Sequence, residues 1–373
     1  MNQPADPTLK KLFLNLLSAA IRDVPADAEL FKGLDAATWK KLEGMARKQS
    51  SSALIADKAL ALPQGSLPPR EQNMVFITQV EQTRALNRKM IHVLRKLTGE
   101  YAEVSLPFVL LKGLSNGVNY PEPLLRNPGD IDLLLYREGD YKRSIQWIAG
   151  KGIKMEIGDH IHYKFDMDGI SIENHCRVTY FDHRKYDRLF AAWEEEVSKK
   201  EDFTSVEIDG ITVRQLPTEM NAFFIFQHMF RHFVHLGVGF RQYCDWLLFL
   251  SKYRDKIDPV SFTRLAESYA LLYPMQVFAR AAVKYLDMPE SIFPFSMITD
   301  DKYADRVMED IFDSGNFGFH KTGKQRPEEK MRGMWFSYTS TIRRSIRFGP
   351  LSPEHSRILP VTKLVRRIKI GFK

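Results

Sequence analysis

The chain has 373 residues, a formal net charge of +8 and 44% hydrophobic residues, enough for two or three domains with sizeable cores. No apolar run is long enough to cross a bilayer and the N-terminus lacks a signal-peptide layout. Its two cysteines, Cys176 and Cys244, exclude a disulfide framework and point to a reducing cytoplasm. The charge suggests acidic ligands such as nucleotides or nucleic acid and selects neither.

In chain order, residues 8–100 read as helices. Leu9, Phe13, Leu16 and Leu17 recur at helical spacing, as do Ile91, Leu94 and Leu97. A mixed segment follows from 104 to 216, with strands expected near 108–112, 130–136, 153–157, 160–166, 170–176 and 204–214. Helices are expected from Asp140 to Ala149 and over 185–199, and Asp168-Gly169 reads as a hairpin turn. From Pro217 to about Asp313 helices dominate again. The last segment, 341–373, carries nine Lys or Arg against Glu354 alone, which equals the excess of the whole chain. Such a basic, amphipathic end suits RNA or an anionic membrane surface, or a helix docked on the body. The order helices, strands, helices predicts an α+β protein: an N-terminal helical region (1–103), a small mixed sheet (104–216), a C-terminal helical region (217–340) and a basic tail.

The stretch Gly129-Asp130-Ile131-Asp132, followed by three leucines, carries the chemistry. Alternation in a strand sends Asp130 and Asp132 to one face and Ile131, Leu133 and Leu135 to the other. Like charges on one face of an apolar strand repel and lose hydration, so folding gives no reason for them; a divalent cation does. Downstream, Ile170, Ile172 and Asn174 alternate with Ser171, Glu173 and His175, which supplies a third carboxylate, Glu173, with His175 on its face. His160 and His162 share a face of the preceding strand. Upstream, an apolar run ends in Lys112-Gly113. No phosphate loop, dinucleotide fingerprint, His-Glu-x-x-His or Gly-x-Ser-x-Gly elbow occurs. His228, His232 and His235 share a helix face but have no carboxylate in the set and sit among phenylalanines, which argues against zinc.

Leu111-Lys112-Gly113, Arg126 before Asp130-Ile131-Asp132, and Glu173-Asn174-His175 together resemble nucleotidyltransferases of the DNA polymerase β superfamily. The pattern is most similar to a poorly characterised bacterial branch and spans roughly residues 108–250. The resemblance implies a nucleotidyltransferase core in which Asp130, Asp132 and Glu173 hold two Mg²⁺ (or Mn²⁺) ions, with Glu173 able to take the acceptor proton. It implies transfer of NMP from an NTP, ATP favoured, to a hydroxyl of an unidentified acceptor (a small molecule, peptide, protein or RNA), with pyrophosphate leaving. Gly113-Leu114 stands where the superfamily has Gly-Ser or Gly-Gly, so phosphate binding is expected to lean on Lys112 and Arg126, with Gly113 and His175 beside them. A helical histidine followed by Arg-x-x-x-Asp matches His232, Arg241 and Asp245. There Arg241 is expected either to meet the nucleotide or the acceptor, oriented by Asp245, or to form with Asp245 only an ion pair that stabilises their helix. The alternative is a nucleotide- or RNA-binding protein that keeps the fold without catalysis.

Overall fold

The computed structural model describes residues 6–157, 161–315 and 330–371. Four helices open the chain: α1 (Pro7–Arg22), α2 (Ala36–Lys48), α3 (Ser52–Leu60) and the 34-residue α4 (Arg70–Glu103). Asp6 and Asp35 cap the first two by accepting the Thr8 and Thr38 backbone N–H groups. The mixed segment runs β1 (Val109–Leu110), α5 (Leu114–Gly117), β2 (Ile131–Leu134), α6 (Asp140–Gly150), β3 (Met155–Ile157), β4 (His162–Met167), β5 (Ile170–His175), α7 (Arg184–Lys200), β6 (Thr204–Ile208) and β7 (Ile211–Gln215). Helices return as α8 (Thr218–His235), α9 (Phe240–Tyr253), α10 (Pro259–Ser268), α11 (Leu272–Leu286) and α12 (Lys302–Ser314). The basic end forms α13 (Lys330–Phe348) and α14 (Pro353–Gly371). None of the described helices is long and apolar enough to cross a membrane.

The seven strands form one mixed sheet in the order β3-β4-β5-β2-β1-β7-β6. The fold is therefore α+β, as expected, with helices flanking the sheet. Two expectations need correcting. The segment 204–214 is a hairpin rather than one strand, because Asp209 (φ 49°) and Gly210 (φ 76°) make the same two-residue turn as Asp168 (φ 54°) and Gly169 (φ 73°). The strand expected at 108–112 is shorter, Val109–Leu110, with one further bond from the Leu111 N–H to the Asp132 carbonyl at 3.0 Å before the chain turns away at Gly113.

The sheet divides two cores. Ile131, Leu133, Ile170 and Ile172 face a core filled by the C-terminal half of α4 (Met90 to Tyr101) and by Ile148 of α6. Val109, Leu111 and Leu134 face the other way, into a larger core built from α1–α3 and α8–α12. Asp132 and Glu173 lie on this second face, between the sheet and helices α8 and α9.

Candidate active site

Register assembles the site. Strands β2 and β5 run parallel with Asp132 opposite Glu173, while β4 runs antiparallel to β5 with Lys164 opposite Glu173 and His162 opposite His175. Alternation then brings Asp132, Glu173, His175, Lys164 and His162 to one face, and sends Asn174 to the other, where its amide donates to the Tyr101 and Tyr163 hydroxyls. Asp130 sits just before β2 at the mouth, half-buried.

Each carboxylate has a cation against it. Lys112 Nζ lies 2.6 Å from Asp132 Oδ1, and His175 Nε2 lies 3.2 Å from the same atom and 3.4 Å from Glu173 Oε2. The Lys164 ammonium contacts Glu173 Oε1 and lies 3.7 Å from Asp130 Oδ2. His162 Nε2 is 3.8 Å from Glu173 Oε2. Burial, then the charges of Glu173 and Asp132, raises the Asp130 carboxyl above its ordinary value. Burial also pushes Glu173 upward, but His175, Lys112 and Lys164 together outweigh it and hold that carboxyl well below the usual range. For His175 burial opposes protonation, yet its contacts with Asp132 and Glu173 win and raise it. Three carboxylates gathered at one face of a rigid sheet and its mouth form a hard oxygen donor set, which fits Mg²⁺. His162, Glu173 and His175 each present a ligand atom within 4.8 Å of the others, so nitrogen donors for Mn²⁺ adjoin that set.

Above the carboxylates opens a cavity of about 330 Å³. Lys112, Asp130 and Asp132 form one side of it; Phe224, Ile225 and His228 of α8 and Arg241 and Gln242 of α9 form the other. Gly113 (φ 71°) is fixed by its surroundings, since a Cβ there would lie 2.9 Å from the Asp130 carbonyl oxygen.

Two expected arginines take different positions. Arg126 lines the cavity, but its guanidinium is committed to Asp245: Nε donates to Oδ1 and Nη2 to Oδ2, both at 2.8 Å. The Tyr120 hydroxyl adds a 2.8 Å bond to Asp245 Oδ1. Asp245 therefore orients Arg126 across 119 residues of chain, not Arg241 one turn away on its own helix. The reason is burial: with both Arg126 and Asp245 withdrawn from water, each needs a bidentate partner. Arg241 instead donates from Nη1 to the Pro128 carbonyl at 2.8 Å and packs over Gly129, and among the described residues no carboxylate pairs with it.

The helical histidines separate. His228 and His232 bond each other at 3.1 Å, and burial with nearby cations depresses both well below the ordinary imidazole value. His235 turns to Asp182 at 3.1 Å. His160 lies outside the described residues. Sequence reading missed Lys164, Gln242 and the cavity position of His228. Only Lys164 left a signal, through the alternation it shares with His162.

A family model described as "Uncharacterised nucleotidyltransferase" matches residues 35–287. No curated protein and no solved structure matches the chain.

Proposed function

Because the chain belongs to this uncharacterised nucleotidyltransferase family, we propose that it transfers a nucleoside monophosphate from an NTP, ATP first among them, to an acceptor hydroxyl. The observation that carries this reading is the gathering of Asp132 and Glu173 on one sheet face, with Asp130 at its mouth, beside a cavity walled by Arg241. Asp130 and Asp132 would hold Mg²⁺, which when bound neutralises charge on the β- and γ-phosphates and eases departure of pyrophosphate. Glu173 would take the acceptor proton as the oxygen–phosphorus bond forms. Its low pKa makes it a weak base in the resting site, and a nucleotide that draws Lys112 away would strengthen it.

Lys112 and Arg241 would meet the phosphates, where positive charge is most useful as negative charge shifts toward the leaving group. Arg126 is the worse candidate, since two of its nitrogens are tied to Asp245. Phe224 and Ile225 offer apolar surface to a base or an acceptor.

The test is calorimetric binding of a non-hydrolysable ATP analogue with and without Mg²⁺, on the native protein and on Asp130→Asn/Asp132→Asn, with GTP, CTP and UTP analogues in turn. Metal-dependent binding lost in the double variant supports the reading. In an acceptor screen, pyrophosphate release should fall at least about 100-fold in Asp132→Asn. Equal binding by native and double variant would sink the metal role, and binding without pyrophosphate release from any acceptor would favour the non-catalytic alternative.

A further inference from the structure

The position of Lys164 bears on how many ions this site takes. Its ammonium lies between Glu173, which it contacts, and Asp130, 3.7 Å away. An acceptor-side ion held by Asp130 and Glu173 would need that same space, and Lys164, unlike Lys112, is given no phosphate to move to in the proposed function. Lys164 is not a stray surface side chain, because the β4–β5 register sets it directly across from Glu173, at cross-strand Cβ separations of roughly 4.5–5.5 Å. The other carboxylate oxygen of Glu173 faces His162 and His175. We infer that Lys164 serves as the acceptor-side cation of this site, so that the chain loads one divalent ion with its nucleotide instead of two.

Charge balance agrees. Asp130, Asp132 and Glu173 contribute three negative charges, and Lys112 and Lys164 return two. One divalent ion leaves these five side chains with a single positive charge facing a triphosphate, and His175, 3.2 Å from Asp132, adds to it when charged. A second ion would sit within a few ångströms of an ammonium of like charge, in a partly buried site where such repulsion is poorly screened. An ammonium can also do the acceptor-side work. It donates a hydrogen bond to the attacking oxygen while that oxygen bonds to the α-phosphorus, the α–β bridging bond breaks, the hydroxyl proton passes to Glu173 and pyrophosphate departs.

This inference rests on the nucleotidyl-transfer reading, and the experiment separates the two. Bound Mn²⁺ per chain is counted by loss of the free-ion electron paramagnetic resonance signal, with an α,β-methylene analogue of ATP, or of GTP, CTP or UTP, whichever binds. Native protein should bind one Mn²⁺ per nucleotide. Lys164→Met, which keeps the stem and removes the charge, should bind two and show an exchange-coupled pair signal, while Lys164→Arg should stay at one. Two ions in the native protein, or one in a folded Lys164→Met, would overturn the role of Lys164 and leave nucleotidyl transfer standing. No Mn²⁺ with any of the four analogues would overturn both. The native count decides even if the Met variant fails to fold.

Discussion

Arg126 and Arg241 border the same cavity and should respond oppositely to removal. Arg126→Ala strands the buried Asp245 carboxylate, already held by Tyr120, without its counter-charge. That loss is expected to cost about 3–5 kcal/mol, read as a lowered midpoint in denaturant. Arg241→Ala gives up one bond to the Pro128 carbonyl, a loss of about 1–2 kcal/mol. Its main effect should appear in calorimetry with the ATP analogue, as affinity weakened at least about tenfold. A stable Arg126→Ala, or an Arg241→Ala that binds nucleotide like the native protein, would reverse this assignment. The shared face of Asp132, Glu173 and His175 was legible because alternation within a strand is a local rule, whereas Asp130 falls just outside β2. The Arg126–Asp245 pair was not, since nothing local marks a contact across 119 residues.

At the scale of elements, α7 carries the clearest pH dependence. Glu194 accepts the Val178 backbone N–H at 2.7 Å, which ties the helix to the chain leaving β5. Burial pushes its carboxyl up from 4.5 to about 7. A carboxyl raised on folding binds more protons in the native state than in the unfolded one between those two values. Stability should therefore fall as pH rises from about 4.5 to about 7, by about 3 kcal/mol at most, and level off above. Melting of Glu194→Gln across that window should lack this component of the slope; an unchanged slope would refute it. Hairpins show what sequence reading at this scale can miss. Asp168-Gly169 separates two clear runs, whereas Val206, Ile208, Ile211 and Val213 read as one strand unless the parity change across Asp209-Gly210 is noticed. Lys164 became visible as a partner of Glu173 only once the β4–β5 register was known.

For the whole molecule, the basic end is not uniform. Arg344 is almost fully buried, pairs with Asp310 (Nη1 to Oδ1 at 3.0 Å) and donates to the Phe233 carbonyl, while the Phe348 ring packs 4.5 Å from Phe233. These contacts fasten α13 to α8 and α12. Arg343 and Arg357 are exposed. Arg344→Ala should thus cost about 3–5 kcal/mol, and Arg343→Ala or Arg357→Ala less than about 0.5 kcal/mol, in parallel denaturant titrations. Charge counting across 341–373 could not separate an arginine that fastens the fold from those left to solvent, because the count ignores which helix face each occupies.

Helix α4 places Phe76 and Val80 in one core and Met90 to Tyr101 in the other. At 34 residues it is a beam about 50 Å long, with neither proline nor glycine from Arg70 to Thr98. The sheet and the first three helices are therefore mounted on one rigid spar. The jamb opposite that spar is built differently. There α8 reaches α9 and Arg241 through Gly237 (φ 119°), a backbone conformation that a residue with a side chain rarely adopts. Gly237→Ala should therefore strain the wall that carries Arg241 while leaving the spar untouched.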